Sequence, residues 1–306
     1  MKYKKKIFDS FEVRKSKKEK TVFINWVLEE FKGKNINIEK GYFGCRNIIF
    51  GDVDKAKVVY TAHYDTCANM FIPNFCTPKS LLIYCLYQVA LLVVLLGIPS
   101  LLMGIFMIML PNNPEISSLA FMVSYLLIFG LLLFGPANKH TANDNTSGVV
   151  AILEMVNKLP DSLQDKVAFV LIDLEEAGLI GSMSFYEKHK KVMKKKLLIN
   201  LDCISDGKDI LFIFNKKARE YADLIRDNYV SNKEVFTETV IKGGIYPSDQ
   251  LNFPCGVGVC SVLKSDKYNI QYIDKIHTVK DVVFRDENID YLVEKSIKLI
   301  SNLDEK

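Results

Sequence analysis

Two stretches of this chain carry no charged residue at all: Ser80–Pro114 and Ile116–Asn138. Nothing else in its 306 residues restricts the fold as strongly. Leu81–Leu110 is longer than the roughly twenty apolar residues that cross a bilayer as a helix, and Ile116–Phe134 is about that length. Each is apolar all the way round, so neither offers a polar face to water. The rest of the chain is charge-rich and leaves no room to bury two such helices. The pattern predicts a two-helix transmembrane hairpin over 80–137, with spans 81–110 and 116–134 and a polar turn at Pro111–Glu115. Gly97 and Pro99 allow the longer span to kink, and its length allows tilt. Lys79, Lys139 and His140 flank the open end, whereas the turn carries only Glu115. Positive charge stays on the cytoplasmic side, which places the chain in the cell membrane with both soluble parts facing the cytoplasm.

The remaining composition narrows the classes. Net charge is +4, too little for a nucleic-acid binder. Much of it lies in the first twenty residues (MKYKKKIFDSFEVRKSKKEK), read as a solvated run that can also touch anionic headgroups. No apolar segment follows as a signal peptide would require. The seven cysteines are odd in number and show no CxxC spacing. Cys255 and Cys260 could pair, but reduced thiols in a cytosolic setting are expected.

Outside the hairpin, short apolar runs alternate with helical patterns. An amphipathic helix is expected over 17–32, from Val22, Phe23, Trp26, Val27 and Phe31. Strands are expected at 35–39, 47–50, 58–62, 167–172, 197–201 and 257–263. Helices are expected at 146–159 (capped by Thr146 or Ser147), 181–196, 218–230 and 286–303. Several strands are apolar throughout, which predicts a mixed, mostly parallel sheet sandwiched by helices. Residues 1–79 and 138–306 then form one discontinuous domain, interrupted by the hairpin at 80–137.

Five polar motifs punctuate this pattern at strand and helix ends: His63-Tyr64-Asp65, Asn143-Asp144-Asn145, Glu175-Glu176, Asp202 and His277-Thr278. Each is weak alone. An HxD triplet is common, an Asp/Asn turn often caps a helix, and a lone histidine is more often structural than a ligand. Together they supply two imidazoles, several carboxylates and a spare glutamate, the inventory of a two-metal hydrolase. Adjacent carboxylates at the end of a buried strand are costly unless something neutralises them. Asp65 is placed to orient His63, as a carboxylate often orients a metal-bound imidazole. N/O donors suit zinc and also admit manganese or cobalt.

In this order the motifs HYD, NDNTSG, EEAGLIGS, NLD and HTVKD, with Ser248-Asp249 before a late strand, resemble the di-zinc aminopeptidase family, metallopeptidase family 28. The resemblance covers about residues 17–75 and 138–303. It implies the zinc-dependent exopeptidase fold and two zinc ions. His63 and Asp202 would hold the first, Glu176 and His277 the second, and Asp144 would bridge them with a cis bond to Asn145. Glu175 would be the general base and Asp65 the support of His63. The implied activity is removal of N-terminal residues from peptides; the membrane hairpin is the largest departure from the family. Gln250 stands where the family usually has a histidine, which bears on substrate contacts rather than metal binding. The readings set beside this one are a non-catalytic membrane scaffold of the same fold and a single-zinc acyltransferase of the glutaminyl cyclase kind.

Overall fold

The computed structural model describes residues 1–240 and 244–304. Helices α1 (Tyr3–Phe11) and α2 (Lys17–Glu30) precede strands β1 (Ile36–Lys40), β2 (Arg46–Phe50) and β3 (Val58–His63). The apolar helices α3 (Leu81–Met109) and α4 (Pro114–Phe134) follow, then α5 (Ser147–Lys158), β4 (Val167–Ile172), α6 (Ile180–Met193) and β5 (Leu197–Leu201). The chain continues through β6 (Asp209–Phe214), α7 (Ala222–Asn228), β7 (Phe236–Val240), β8 (Gly256–Ser265) and β9 (Ile270–Tyr272) to α8 (Asp286–Ser301).

The strands form one nine-stranded sheet in the order β1-β2-β4-β3-β5-β8-β6-β7, with β9 on β8. Its centre, β4-β3-β5-β8, is parallel. Antiparallel pairs lie to either side: β1 with β2, β2 with β4, β8 with β6 and β8 with β9. The sheet is therefore mixed, with a parallel centre rather than a parallel majority. The β1–β2 and β8–β9 connections are too short for a crossover, so they close as antiparallel pairs. The parallel register of β3, β4 and β5 pairs His63 with Ile172 and Thr61 with Asn200, so the three carboxyl ends share one edge.

Alternating side chains feed two cores. Val58, Tyr60 and Ala62 pack with Phe23 of α2, Ile152 of α5 and Leu292 of α8. Val59, Val170 and Ile172 pack on the other face with Phe185 and Met193 of α6. All of β4 is buried, as its unbroken apolar run VAFVLI requires.

Several expectations are corrected. The basic N-terminus is not merely solvated: Tyr3, Ile7 and Phe11 recur at helical spacing and bury one face of α1 in the core. Thr146 holds the N-cap position of α5, but its side chain makes no capping hydrogen bond. The Ser147 hydroxyl donates to the Asn143 carbonyl at 2.7 Å, and Thr146 meets Thr141 at 3.0 Å. The 218–230 helix begins as a 3-10 turn, Lys217–Tyr221, before α7. Strands β6, β7 and β9 were not anticipated. All seven cysteines are free, Cys255 and Cys260 included.

Helices α3 and α4 pack along each other and stand off the domain. Only 6% of the apolar window of each is buried, which rules out a core hairpin. By length and mean hydropathy, 2.7 and 2.3, both are able to cross a membrane. Pro99 lies inside α3. The root of the hairpin is sewn to the domain: the Asn138 N–H donates to the Cys67 carbonyl at 3.1 Å and the Asn69 N–H to the Pro136 carbonyl at 2.8 Å.

Helix α2 is pinned to the sheet by a buried ion pair, Lys20 Nζ to Asp173 Oδ1 at 2.7 Å. Asp173 also accepts the Arg46 N–H at 2.9 Å, joining the end of β4 to the start of β2. Removing one partner of a buried pair leaves an uncompensated charge. Lys20→Met is expected to lower the unfolding free energy by about 3–5 kcal/mol. Lys20→Met/Asp173→Asn should recover part of that loss, read from denaturant unfolding in detergent.

Candidate metal centre

The shared carboxyl edge of β3, β4 and β5 collects the predicted residues. His63 is the last residue of β3 and Asp202 follows β5 directly. Glu175 and Glu176 occupy the turn after β4, and Asp144 lies just before α5. His277 comes from the loop before α8. Three of the flanking residues are non-glycines with positive φ: Leu174, Cys203 and His277 itself. Such backbone costs about 1–3 kcal/mol per residue and persists only where the surroundings hold it.

Asp144 sits between the two imidazoles. Its Oδ1 is 3.1 Å from His63 Nε2 and its Oδ2 is 3.0 Å from His277 Nε2. His63 Nε2 is also 3.4 Å from Asp202 Oδ1, and His277 Nε2 is 3.2 Å from Glu176 Oε2. Two half-sites result, His63–Asp144–Asp202 and His277–Asp144–Glu176, with one carboxylate common to both. The bond from Asp144 to Asn145 is cis. Glu175 lies with His63 and Glu176 in a third group of donor atoms within 4.8 Å of one another. All seven sequence-predicted residues are thus brought together. Asp65 is placed differently from expectation. His63 Nδ1 is 3.1 Å from the Asp65 backbone carbonyl, while the Asp65 carboxylate is 3.7 Å away. That carboxylate instead accepts the N–H groups of Glu175 and Glu176, at 3.0 and 3.2 Å.

The electrostatics call for positive charge. Burial pushes the Glu175 carboxyl well above its usual range, opposed by His63 and reinforced by Glu176, Asp249 and Asp202. Burial raises Asp249 to about 7, opposed by His63 and reinforced by Asp65 and Asp202. Burial would raise Asp144 too, but hydrogen bonding from His277 and His63 outweighs it and holds that carboxylate below the usual range. Glu176 Oε1 and Asp202 Oδ1 are buried and find no hydrogen-bond partner among the described residues. Crowded, partnerless carboxylate oxygens beside imidazole nitrogens form the donor chemistry of a divalent cation site, and the set fits zinc.

Sequence reasoning missed two supports. Asp281 accepts the N–H of Asn143 at 2.8 Å and of Asp144 at 2.9 Å, fixing the turn that aims Asp144. Its place in the HTVKD motif was the available signal. Arg14 is fully buried behind the site. It donates from Nε to the Tyr64 carbonyl at 2.5 Å and from Nη2 to Thr146 Oγ1 at 3.3 Å. Burial draws its pKa down to about 10, so it remains charged at neutral pH. Nothing in the run EVRKSKK marks this arginine out. Gln250 does not reach the cluster: its carbonyl accepts from Asn200 at 3.1 Å and its amide donates to the Tyr246 carbonyl.

Comparison with known proteins bears on this arrangement. Residues 128–293 match the model of peptidase family M28, a span that carries Asp144, Glu175, Glu176, Asp202 and His277. The chain belongs to peptidase family M28. Members of that family typically bind zinc, in keeping with the donor set. Among solved structures, this M28 protein is similar to the LapA aminopeptidase of Legionella pneumophila (TM-score 0.58, 13% identity, covering 100% of this chain and 68% of that one). It is also similar to a glutaminyl cyclase of Porphyromonas gingivalis and a Zn-dependent exopeptidase of Parabacteroides distasonis. Each has TM-score 0.56 and 14% identity, and covers 98% of this chain and 96% of the other. At these identities the likeness is one of fold. A search of curated proteins finds no match.

Asp281→Asn should keep the fold, yet it sets an amide N–H₂ against a backbone donor and loosens Asp144. Zinc affinity is expected to fall about 10–100-fold, as measured for positioning partners of metal ligands, by competition with a chromogenic chelator.

Proposed function

We propose that this M28 protein is a membrane-anchored di-zinc aminopeptidase. The observation that carries the reading is Asp144, whose two oxygens each face a different imidazole. His63 and Asp202 would hold one zinc, Glu176 and His277 the other, and Asp144 both. Bound there, two zinc ions would supply Lewis-acid polarisation of a scissile carbonyl and a more acidic water. Glu175 is the spare carboxylate. It stands against His63, and it is the group to accept the proton of the attacking water and return it to the leaving amine. Asp65 holds the Glu175-Glu176 turn by both amides, which fixes where that proton goes. A single-zinc acyltransferase would need only one of the two half-sites and would leave the other without a task. A non-catalytic scaffold would have no reason to keep all five ligands and the base. The substrates are peptides with a free N-terminus.

The domain organisation follows from the same reading. Residues 1–79 and 138–306 act as one catalytic domain, and 80–137 anchors it in the cell membrane by two spans, with the domain on the cytoplasmic side. The insertion point supports this. The root of the hairpin joins the Cys67 and Thr278 carbonyls through Asn138, directly beside His277, so the cleft is held against the membrane surface.

Asp144→Ala is expected to lose both metals together, measured by metal analysis of the purified protein. Retention of two at wild-type affinity would remove the bridging model. Glu175→Gln, nearly isosteric but unable to accept a proton, should keep the fold and both metals while losing at least about 10²-fold in turnover of aminoacyl substrates. The intact chain should require detergent for extraction from membranes. Recovery in the soluble fraction would sink the anchoring assignment.

A further inference from the structure

The space immediately around Asp144, Glu175 and Asp202 is small, about 60 Å³. A water needs about 10–15 Å³ of such space, so this one has room for cations and a reacting water. A second cavity of about 490 Å³ shares Glu176 and His277 with it. That volume is within the range of pockets that enclose whole small molecules. Its lining is mostly apolar. Phe129, Leu132, Leu133 and Phe134 supply one wall from the last turns of α4, and Met70 and Leu174 line it from loops of the domain. Lys15 closes the N-terminal segment against this helix end by donating to the Leu133 carbonyl at 2.6 Å. Lys20, also at the wall, is neutralised by Asp173. Phe129 and Phe134 are 50% and 83% exposed, so the same helix end that lines the cavity also faces outward where acyl chains would lie.

We propose that this cavity is a binding chamber for a long apolar group attached beside the scissile amide, and that the enzyme takes amphiphilic amides from the membrane surface. The inference rests on reading the ligand cluster as a hydrolytic centre. It departs from simple tethering, because α4 becomes part of the substrate site. Two observations support it together: the chamber touches the candidate ligands Glu176 and His277 directly, and one of its walls is the end of helix α4. An apolar chain placed there leaves its amide end at the ligands and its far end toward lipid. Burial of each methylene contributes about threefold to fourfold in binding. The chain can belong to a large apolar residue of a peptide or to a fatty acyl group, and the two differ in whether a free amine sits beside the amide.

The test uses the zinc-loaded full chain in nanodiscs and two substrate series. One is the p-nitroanilides of alanine, norleucine, 2-aminooctanoic acid and 2-aminodecanoic acid. The other is N-acyl amino acids with acyl chains matched in length. We expect kcat/KM to rise roughly threefold to fourfold per methylene in one series. A rise in the first names apolar peptide residues as the source, and a rise in the second names fatty acyl amides. Leu132→Trp, or Met70→Trp if the first does not fold, fills the chamber. Either should lower the long-to-short ratio by at least about tenfold. Leu126→Trp, on the same helix but outside the chamber, should leave that ratio unchanged. Calorimetric binding of alkyl hydroxamates from butyl to dodecyl gives a readout without turnover. A flat dependence on chain length in both turnover and binding overturns the chamber. An equal slope in the filled variants overturns it as well. Length-dependent binding that Leu132→Trp abolishes, with no turnover in either series, keeps the chamber and removes the hydrolase reading instead.

Discussion

The buried carboxylate of Asp144, held between two imidazoles, is the contact on which the rest of the site depends. Around it stand Glu175, Glu176, Asp202 and Asp249, more negative charge than a protein interior tolerates without positive partners. Everything near this cluster works to keep the crowd in place. Asp281 grips the Asp144 turn by two amides, and Asp65 grips the Glu175-Glu176 turn in the same way. Left-handed backbone occurs at Leu174 and Cys203, just after β4 and β5, and at His277 in the loop before α8. These supports cost stability locally and are offset by the two apolar cores on the faces of the sheet.

The N-terminal segment takes part in this support from outside the region that matches the family model. Arg14 bridges the loop after β3 to the turn before α5, the two places that carry His63 and Asp144. Its guanidinium is surrounded by carbonyl and hydroxyl acceptors, which is how a cation is tolerated at full burial. Helix α1, with Tyr3, Ile7 and Phe11 in the core, anchors the segment that delivers this arginine.

The hairpin enters the chain between β3 and α5, a connection that starts and ends at the carboxyl edge of the sheet beside the candidate ligands. Ligands in open α/β sheets bind at that edge. An insertion at the opposite edge would tether the domain equally well without lining anything. Here the end of α4 shares a cavity with Glu176 and His277. In the proposed reading, anchoring and substrate selection converge on one structural element.

How much was legible in the sequence follows from what each feature depends on. The apolar helices, the buried strands β3, β4 and β5, and the order of the motifs were readable because they rest on local composition and period. The candidate ligand types stood out because cation chemistry restricts donors to a few side chains. The tertiary structure decided what depends on residues distant in the chain. It turned the Asp65 carboxylate away from His63 toward the amides of a turn 110 residues on. It buried Arg14, whose neighbours in sequence are other charges, and it drew the basic N-terminus into the core through three apolar residues. It set the pairs β1–β2 and β8–β9 antiparallel, because their short loops rather than strand composition determine direction. It also brought the end of α4 against the ligands, since apolarity says that a helix must avoid water but not what else it touches.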